Sequence, residues 1–378
     1  MKLLFLLLIC TLNCMPLAGQ SYLTSLDLQV SHAPEPVIIN GQPTVYYELH
    51  VTNFASIPLD LKKLEVVNTV NTARLLVSSE ADLQKRCEPV GALSPGGTTT
   101  LVSGGRCIIY LEYALTGNPP WQISHRIDFE IPQSSAGRLH SVQGANLHLI
   151  QAKSIVLGAP LREGSWAAVY YPDWKRGHRR VVYTVDGKAR IPGRFAIDFI
   201  RLDRNGKYAS EDENLIKNWY GYGNDVLAVA DGVIVAVKNE FAESATIAAH
   251  PRHPPEQATG NFLALQIGDK RFVFYEHLKP DSIRVKIGQK VKRGDILAAV
   301  GFTGQTTGPH LHLHVADGNS PLGAEGLPFV FELFTVLGEY ADFADFGKKL
   351  WESAKEASPS AKRRERPAPN AIITFEER

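Results

Sequence analysis

The chain has 378 residues, which is enough for about two domains as a first expectation. It carries 40 lysines and arginines against 39 aspartates and glutamates, and its formal net charge is +1 at pH 7. A chain without a basic excess offers no electrostatic reason to expect nucleic acid as a partner, so we expect none.

The first residues predict a secretory signal peptide at residues 1–19. Lys2 precedes an apolar run over residues 3–10, and the small residues Ala18 and Gly19 follow. This run is too short to span a membrane, and no later segment is apolar enough to do so. We therefore expect a periplasmic or secreted protein. A lipoprotein anchored through Cys14 is the alternative, but Thr-Leu-Asn before this cysteine is a poor context for lipidation.

Two cysteines, Cys87 and Cys107, remain once the signal peptide is removed. Both fall within one predicted β-domain. In an oxidising compartment they would most simply form a disulfide. The alternative is a pair of separate buried thiols.

Residues 21–150 predict an antiparallel β-sandwich of immunoglobulin-like type. Short alternating segments such as SLDLQV, TVYYELHV and HRIDFEI are separated by turn signals such as Asn40-Gly41, and no convincing helix interrupts them. The histidines of this region are scattered. We expect this domain to have a positioning or recognition role, for a target that the sequence does not identify. The alternative is that the domain carries the main function of the protein, as an adhesion or partner-binding module.

A second β-rich domain is predicted after a connection at residues 151–176. Asp186-Gly187 indicates a hairpin, and segments such as FLALQIG and RFVFYEHL indicate further strands. Residues 240–260 predict a long loop that borders a cleft. Residues 339–378 combine an amphipathic stretch with a proline- and charge-rich run, which predicts a charged and partly disordered C-terminal tail.

The stretch GFTGQTTGPHLHLHV contains three histidines at alternate positions, His310, His312 and His314. On a strand, alternate side chains share one face, so the three imidazoles would line one surface. Neutral imidazole is the commonest metal ligand and the commonest acid–base group near pH 7. The pattern therefore favours a functional site over an exposed polar strand face.

The order FAIDF, FYEHL and TGQTTGPHLHLHV resembles the M23 (lysostaphin/LytM-type) family of zinc metallopeptidases over residues 177–334. The resemblance implies an all-β chain whose sandwich is followed by an antiparallel β-sheet peptidase domain at residues 177–338. It implies zinc as the cofactor, with Asp198 and His312 as ligands and His277 and His310 as catalytic histidines. It also implies a secreted zinc-dependent endopeptidase that cleaves the peptide part of bacterial peptidoglycan.

One position departs from the family pattern. The family's first motif is H-x-x-x-D, and Arg194 occupies the histidine position four residues before Asp198. An arginine cannot ligate zinc, because it stays protonated and has no lone pair to offer. We expect Arg194 to form a surface ion pair instead, with pairing to a substrate carboxylate as the alternative.

His178 is the best substitute ligand, and His314 is the second. In the hairpin closed at Asp186-Gly187, a three-residue loop would pair His178 with Ala196 and turn it towards Asp198. A two-residue loop would pair it with Phe195 and turn it to the opposite face. The sequence does not choose between these registers.

Two other classes of protein stay open at this point. The first is an inactive M23-like domain that binds cell wall or regulates another hydrolase. Arg194 favours it, but three imidazoles at motif positions have no chemical purpose in a pure binding module. The second is a carrier domain of the biotinyl or lipoyl kind, which shares the turn-and-strand pattern but requires a lysine at a hairpin tip that we do not recognise here.

Overall fold

The computed structural model describes residues 25–91, 98–116, 122–132, 139–151, 153–171, 174, 177–353 and 360–376. The predicted signal peptide and Cys14 lie outside these residues. Strands dominate the described part of the chain, which confirms the predicted all-β class. Within it, no helix is long and apolar enough to cross a membrane.

The first domain is a sandwich of two antiparallel sheets. Its order is β1-β3-β8-β6, with β2 on β3, packed against β10-β9-β4-β5, with β7 on β4. Alternate side chains of both sheets point inward and form an apolar core, as the alternating sequence requires. The elements are β1 Leu26–Val30, β2 Val37–Ile39, β3 Gln42–Asn53, β4 Leu59–Asn68, β5 Arg74–Ser79, α1 Glu80–Arg86, β6 Cys87–Pro89, β7 Thr100–Leu101, β8 Arg106–Ala114, β9 Gln122–Glu130 and β10 His140–His148.

The helix α1 was not expected from the sequence. Ser79 caps it by accepting a hydrogen bond from the backbone N–H of Asp82, whose side chain bonds back to the Ser79 backbone N–H. Only Leu83 of its seven residues is buried, so the segment has no long amphipathic period that would reveal it. The expectation of strands without a helix is therefore wrong at this connection.

The predicted disulfide is also wrong. Cys87 and Cys107 are free, buried thiols on the neighbouring strands β6 and β8. The strand register places Cys87 opposite Ile109 and Cys107 opposite Pro89, so the two cysteines are offset along the strands. A hydrogen bond with the Cys87 thiol, together with burial, raises the pKa of the Cys107 thiol well above its ordinary value.

The second domain is built on a twelve-stranded sheet of order β11-β23-β26-β12-β15-β22-β19-β18-β17-β20, with β24 and β25 also on β23. Only β11 and β23 are parallel; the other pairs are antiparallel. Two small sheets, β13-β14 and β16-β21, lie beside it. The strands are β11 Ile155–Leu157, β12 Ser165–Val169, β13 Tyr183–Val185, β14 Lys188–Arg190, β15 Ile197–Leu202, β16 Asp225–Leu227, β17 Gly232–Lys238, β18 Phe262–Gly268, β19 Arg271–Glu276, β20 Lys290–Val291, β21 Ile296–Ala299, β22 Leu311–Ala316, β23 Phe329–Glu339, β24 Glu352–Ser353, β25 Ser360–Glu365 and β26 Ala371–Thr374. Short 3₁₀ helices cover His178–Arg180, Pro192–Phe195, Ile216–Asn218, Pro255–Gln257 and Phe343–Asp345.

The structure contains strands within both the predicted connection and the predicted tail. Strands β11 and β12 lie within residues 151–176, and β25 and β26 lie within residues 339–378. Strand β26 pairs with β12 on one side and with β23 on the other, and Ile372 and Ile373 are fully buried there. The many charged and proline residues of the C-terminal region indicated disorder, so β25 and β26 were not predicted from its composition.

The two domains share an apolar core. Val37, Ile39 and Tyr46 of the first domain pack in the same buried cluster as the strands of the second domain. The Tyr46 ring lies edge-on to Phe195, with ring centroids 6.0 Å apart. The first domain is therefore packed against the segment that precedes β15.

Candidate metal centre and catalytic cleft

Three neighbouring strands carry polar side chains at one level of the main sheet. Asp198 on β15 is paired with His312 on β22, and His312 is paired on its other side with Glu276 on β19. Directly opposed residues of antiparallel strands share a face. His314 follows His312 at alternate spacing within β22, whereas His310 immediately precedes that strand and bridges to Gly301.

A carboxylate and two imidazoles meet at this level. The Nε2 atom of His178 lies 3.0 Å from Oδ2 of Asp198, and Nδ1 of His312 lies 2.8 Å from Oδ1 of the same carboxylate. One donor atom from each of the three residues lies within 4.8 Å of the other two. The structure thus brings together the three residues expected to hold a metal.

His178 reaches Asp198 by a route that the sequence did not indicate. The β13–β14 hairpin closes with a two-residue turn, since Val185 pairs with Lys188, and it ends at Tyr183. The hairpin therefore pairs His178 with neither Ala196 nor Phe195. His178 lies instead on a 3₁₀ turn and has a φ of 44°. The backbone of this turn packs against Gly193, where an added Cβ would lie 2.9 Å from the His178 carbonyl oxygen.

Arg194 is not the surface residue that we expected. Its side chain is 7% exposed and forms a buried ion pair with Glu48 of the first domain, in which Nη2 lies 2.7 Å from Oε2. It forms a second ion pair with Glu325. A buried guanidinium needs paired carboxylates, and these two supply them. Arg194 is thus part of the domain interface and has no free group to offer a substrate carboxylate.

His277 is fixed immediately after β19 by the loop that contains Thr303. Its backbone has a φ of 61°, and its Nδ1 lies 2.8 Å from the carbonyl oxygen of Thr303. The Thr303 hydroxyl in turn donates to the carbonyl oxygen of Leu278. Because a carbonyl can only accept, Nδ1 of a neutral His277 carries the proton and Nε2 keeps the lone pair.

His310 is fixed in the same manner. Its Nδ1 lies 2.8 Å from the carbonyl oxygen of Gly308, and its Nε2 lies 3.4 Å from Oδ1 of Asp198. The ring centroids of His277 and His310 are 4.8 Å apart. Two imidazoles with defined orientations therefore stand side by side next to the Asp198 carboxylate.

His178, Asp198, His277, His310 and His312 line one cleft of about 500 Å³. Ala258 contributes to its wall, which confirms that the loop at residues 240–260 borders the cleft. The same loop is attached through His250, whose Nε2 lies 2.7 Å from the carbonyl oxygen of Gly304. Other lining residues include Trp174, Tyr183, Gln305, Thr306, Pro321 and Leu322.

The pKa shifts of Asp198 and His312 favour the binding of a cation by this cluster. Burial alone would raise the pKa of the Asp198 carboxyl, but the imidazoles of His178 and His310 hold that pKa well below its ordinary value. Burial lowers the pKa of His312, in spite of the neighbouring carboxylate. An ionised carboxylate and a neutral imidazole are the forms in which these groups ligate a metal.

The donor set fits zinc. Two imidazole nitrogens and one carboxylate oxygen are a ligand set that catalytic zinc sites use, with a fourth position left for water or substrate. The approach of the donor atoms within 4.8 Å is compatible with one shared ion. His178, Asp198 and His312 form one of three donor groups in the described residues that could hold a metal ion; the other two are His277, His310 and His312, and Glu276, His312 and His314.

Sequence reasoning missed Glu276. This carboxyl group is buried, lines the cleft and has its Oε1 3.7 Å from Nδ1 of His314. Burial and the Asp198 charge raise its pKa well above the ordinary value. The available signal was an acidic residue directly after the hydrophobic run FVFY of strand β19. His314, the second substitute ligand, packs with Glu276 and stacks on Phe274, and it is not among the three donors grouped around Asp198.

Residues 216–323 match the family model described as peptidase family M23. The matched part contains His277, His310 and His312, and the resemblance inferred from the motifs is confirmed. The match begins after Asp198, so His178 and Asp198 lie outside it.

Two curated relatives are peptidoglycan DD-endopeptidases of Vibrio cholerae serotype O1. ShyB is 36% identical over 102 residues, which are 27% of this chain and 20% of ShyB. ShyA is 35% identical over 142 residues, which are 38% of this chain and 28% of ShyA. The chain thus spans less than a third of either relative. Among solved structures, a zinc containing peptidase from Vibrio cholerae is 18% identical, with a TM-score of 0.27 over 78% of this chain and 83% of that one.

Proposed function

We propose that this chain is a secreted, zinc-dependent endopeptidase that hydrolyses peptide bonds of bacterial peptidoglycan. The observation that carries the proposal is the position of His178, 3.0 Å from Asp198, because it supplies the metal donor that Arg194 cannot. The predicted signal peptide supports secretion. The M23 match and the names of the two relatives support the reaction and the substrate class.

Asp198, His178 and His312 would hold the zinc ion. When bound, zinc would polarise the scissile carbonyl and lower the pKa of an attacking water towards about 7. Within the protein, the Asp198 carboxylate contributes the negative charge that attracts the cation, and the two imidazoles contribute neutral donors. These assignments are proposals that rest on the distances within the cluster.

His277 and His310 would move protons in the reaction. Each has its Nδ1 within 2.8 Å of a backbone carbonyl oxygen, which leaves Nε2 as the working nitrogen. One of the two, in its neutral form, would take the proton of the attacking water at Nε2. The other, protonated on both nitrogens, would donate a hydrogen bond from Nε2 to the oxygen that becomes negatively charged. Because both rings are already oriented, no conformational entropy has to be lost to orient them during the reaction.

The partner would be a peptidoglycan peptide. A cleft of about 500 Å³, with aromatic, aliphatic and amide side chains around the histidines, is suited to a short peptide rather than to a folded protein chain. The names of the relatives make D,D-peptide cross-links the first bonds to test.

The decisive experiment combines a metal analysis with a cleavage assay. The protein purified without added metal should contain about one zinc per chain, as expected for three protein donors. It should also release soluble muropeptides from purified sacculi, and a chelator should stop that release. A protein that neither binds zinc nor cleaves sacculi would refute the proposal.

A second function is an inactive M23 domain that binds cell wall or regulates another hydrolase. The specific observation in its favour is Arg194 at the position of the family's first ligand. This reading expects sedimentation of the protein with sacculi, without zinc and without release of muropeptides. The same pair of measurements therefore separates the two functions.

A further inference from the structure

We infer that the first domain helps to position the proposed metal ligand His178. Glu112 of that domain is the positioning residue, and it acts by binding the side chain of Arg179, which directly follows His178. This inference rests on the proposed function, because it takes His178 as a zinc ligand. It adds a role for the sandwich domain, whose contribution the sequence left open.

The first step is the environment of Arg179, the residue directly after His178. Its side chain is 4% exposed and enters the first domain. There, Nη1 lies 2.9 Å from Oε2 of Glu112, and Nη2 donates to the carbonyl oxygens of Tyr47 and Leu111 at 3.2 and 3.0 Å. Nη2 also lies 3.6 Å from Oε1 of Glu48, so one guanidinium group is bound to the carboxylate of Glu112, more distantly to that of Glu48, and to the backbones of β3 and β8.

The second step is that the next residue is fixed in the same way. Arg180 has its Nη1 2.9 Å from Oε1 of Glu88 and 3.1 Å from the carbonyl oxygen of Lys85. Two consecutive side chains of the 3₁₀ turn therefore enter the first domain. The turn that carries His178 is attached to that domain at two points.

The third step is that no regular strand or long helix holds this turn among the described residues. The β13–β14 hairpin begins only at Tyr183, and the 3₁₀ turn has no side-chain cap. His178 itself has a positive φ of 44°, a conformation that surrounding contacts must maintain for a residue with a side chain. The ion pairs of Arg179 and Arg180 are the strongest contacts that can do so.

The fourth step concerns Arg194. Its Nε and Nη2 lie 2.8 and 2.7 Å from Oε2 of Glu48, so this position is also attached to the first domain. The preceding Gly193 packs closely on the His178 backbone. The residue that replaces the family's first ligand and the turn that supplies a new one therefore meet at the same domain interface.

The expected effect follows from the precision that a metal site requires. Ligand atoms must lie within about 0.2 Å of their ideal distances from the ion. Loss of a group that orients a ligand typically weakens metal binding by about 10- to 100-fold. Removal of the Glu112 charge should weaken zinc binding by an amount in this range, although Glu112 is not itself a ligand.

The test measures the zinc dissociation constant of the full chain by competition with chelators of graded affinity. The variant is Glu112→Gln, which keeps the size of the side chain and removes its charge. Two controls are matched to it. Arg86→Gln removes the other ion-pair partner of Glu112. Glu65→Gln removes a buried carboxylate that pairs with Lys63 and Arg74 in the opposite sheet. We expect weaker zinc binding in Glu112→Gln and native binding in both controls.

A double-mutant cycle with His178→Ala tests whether the effect passes through that ligand. If it does, Glu112→Gln should weaken zinc binding by about 10- to 100-fold in the native background and leave the His178→Ala protein unchanged. A purely structural effect on the chain would weaken both proteins equally, and that result would overturn the inference. Unchanged zinc binding in Glu112→Gln would overturn it as well.

Failure of the inference is distinguishable from failure of the proposed function. If the native chain binds zinc and His312→Ala does not, the metal centre exists whatever Glu112→Gln does. If the native chain binds no zinc, the proposed function fails first. Thermal unfolding of each variant without zinc verifies that Glu112→Gln remains folded at the temperature of the binding assay.

Discussion

His178 and Asp198 are twenty residues apart in the chain, and Nε2 of the first lies 3.0 Å from Oδ2 of the second. One residue is on a short 3₁₀ turn, and the other is on a central strand of the main sheet. The turn thus brings an imidazole to Asp198, and we propose that this imidazole replaces the histidine of the family motif H-x-x-x-D. The first prediction tests this substitution directly.

Replacing His178 by alanine should remove one zinc donor. We expect zinc affinity to fall by more than the roughly 100-fold that a lost orienting group can cause. The measurement is the zinc dissociation constant from chelator competition. His314→Ala is the matched control, because His314 faces the same cleft and contacts Glu276 rather than Asp198. Equal losses in the two variants, or a loss in His314→Ala alone, would show that the donor has been misassigned.

Replacing His277 by alanine should separate chemistry from metal binding. The variant should keep its zinc, because its imidazole is not one of the three proposed donors, and should lose about 100- to 10,000-fold in kcat. Zinc content and release of muropeptides are measured on the same preparation. His253→Gln, in the loop beside the cleft, serves as the control and should retain activity. Undiminished turnover in His277→Ala would remove this histidine from the mechanism.

Replacing Arg194 by methionine should destabilise the protein. The change leaves Glu48 and Glu325 as buried carboxylates without their main partner, and such a loss costs about 3–5 kcal/mol of the free energy of unfolding. Urea unfolding measures it. The control is Lys292→Met, which breaks the exposed pair between Lys292 and Asp231. We expect no measurable change in that control, and a similar unfolding midpoint for the two variants would contradict the buried role of Arg194.

The stability of the first domain should depend on pH through His125. Burial lowers the pKa of this imidazole to about 4, and its Nε2 lies 2.9 Å from the hydroxyl oxygen of Tyr47. The unfolded chain takes up the proton near pH 6.5, the folded chain only near pH 4, so stability is full above about 6.5 and falls as the pH drops towards 4. The loss attributable to this group is about 3 kcal/mol.

Urea unfolding across that pH interval measures the dependence on His125. The variant His125→Gln should show a smaller loss of stability at acid pH than the native chain. His148→Gln, at an exposed position of the same domain, should keep the native dependence. An identical pH dependence in His125→Gln and the native chain would exclude this histidine as the cause.

Local patterns in the sequence were sufficient for the all-β class and for the histidine strand. The alternation of His312 and His314 placed both on one face of β22, and the pairing of Asp198 with His312 follows once β15 and β22 are neighbours. The sandwich was equally evident, because alternating strands and turn residues repeat along it. These features depend on spacings of a few residues, which a single sequence displays.

Contacts between distant parts of the chain were not accessible in this way. The ion pairs of Arg194 with Glu48 and of Arg179 with Glu112 join residues 146 and 67 positions apart. A charged residue of this kind looks like a surface residue until its partners are known. Glu276 was missed for the same reason, because its neighbours lie across the sheet on other strands. Strand β26 was missed because it pairs with β12, which is far away in the sequence.

The location of β26 constrains when the candidate metal centre can form. This strand lies between β12 and β23, and β12 pairs in turn with β15, which carries Asp198. Chains are made from the amino terminus, so β12 keeps an open edge until residues 371–374 have been synthesised. A nascent chain would therefore complete the sheet that carries Asp198 only after residues 371–374 have been synthesised.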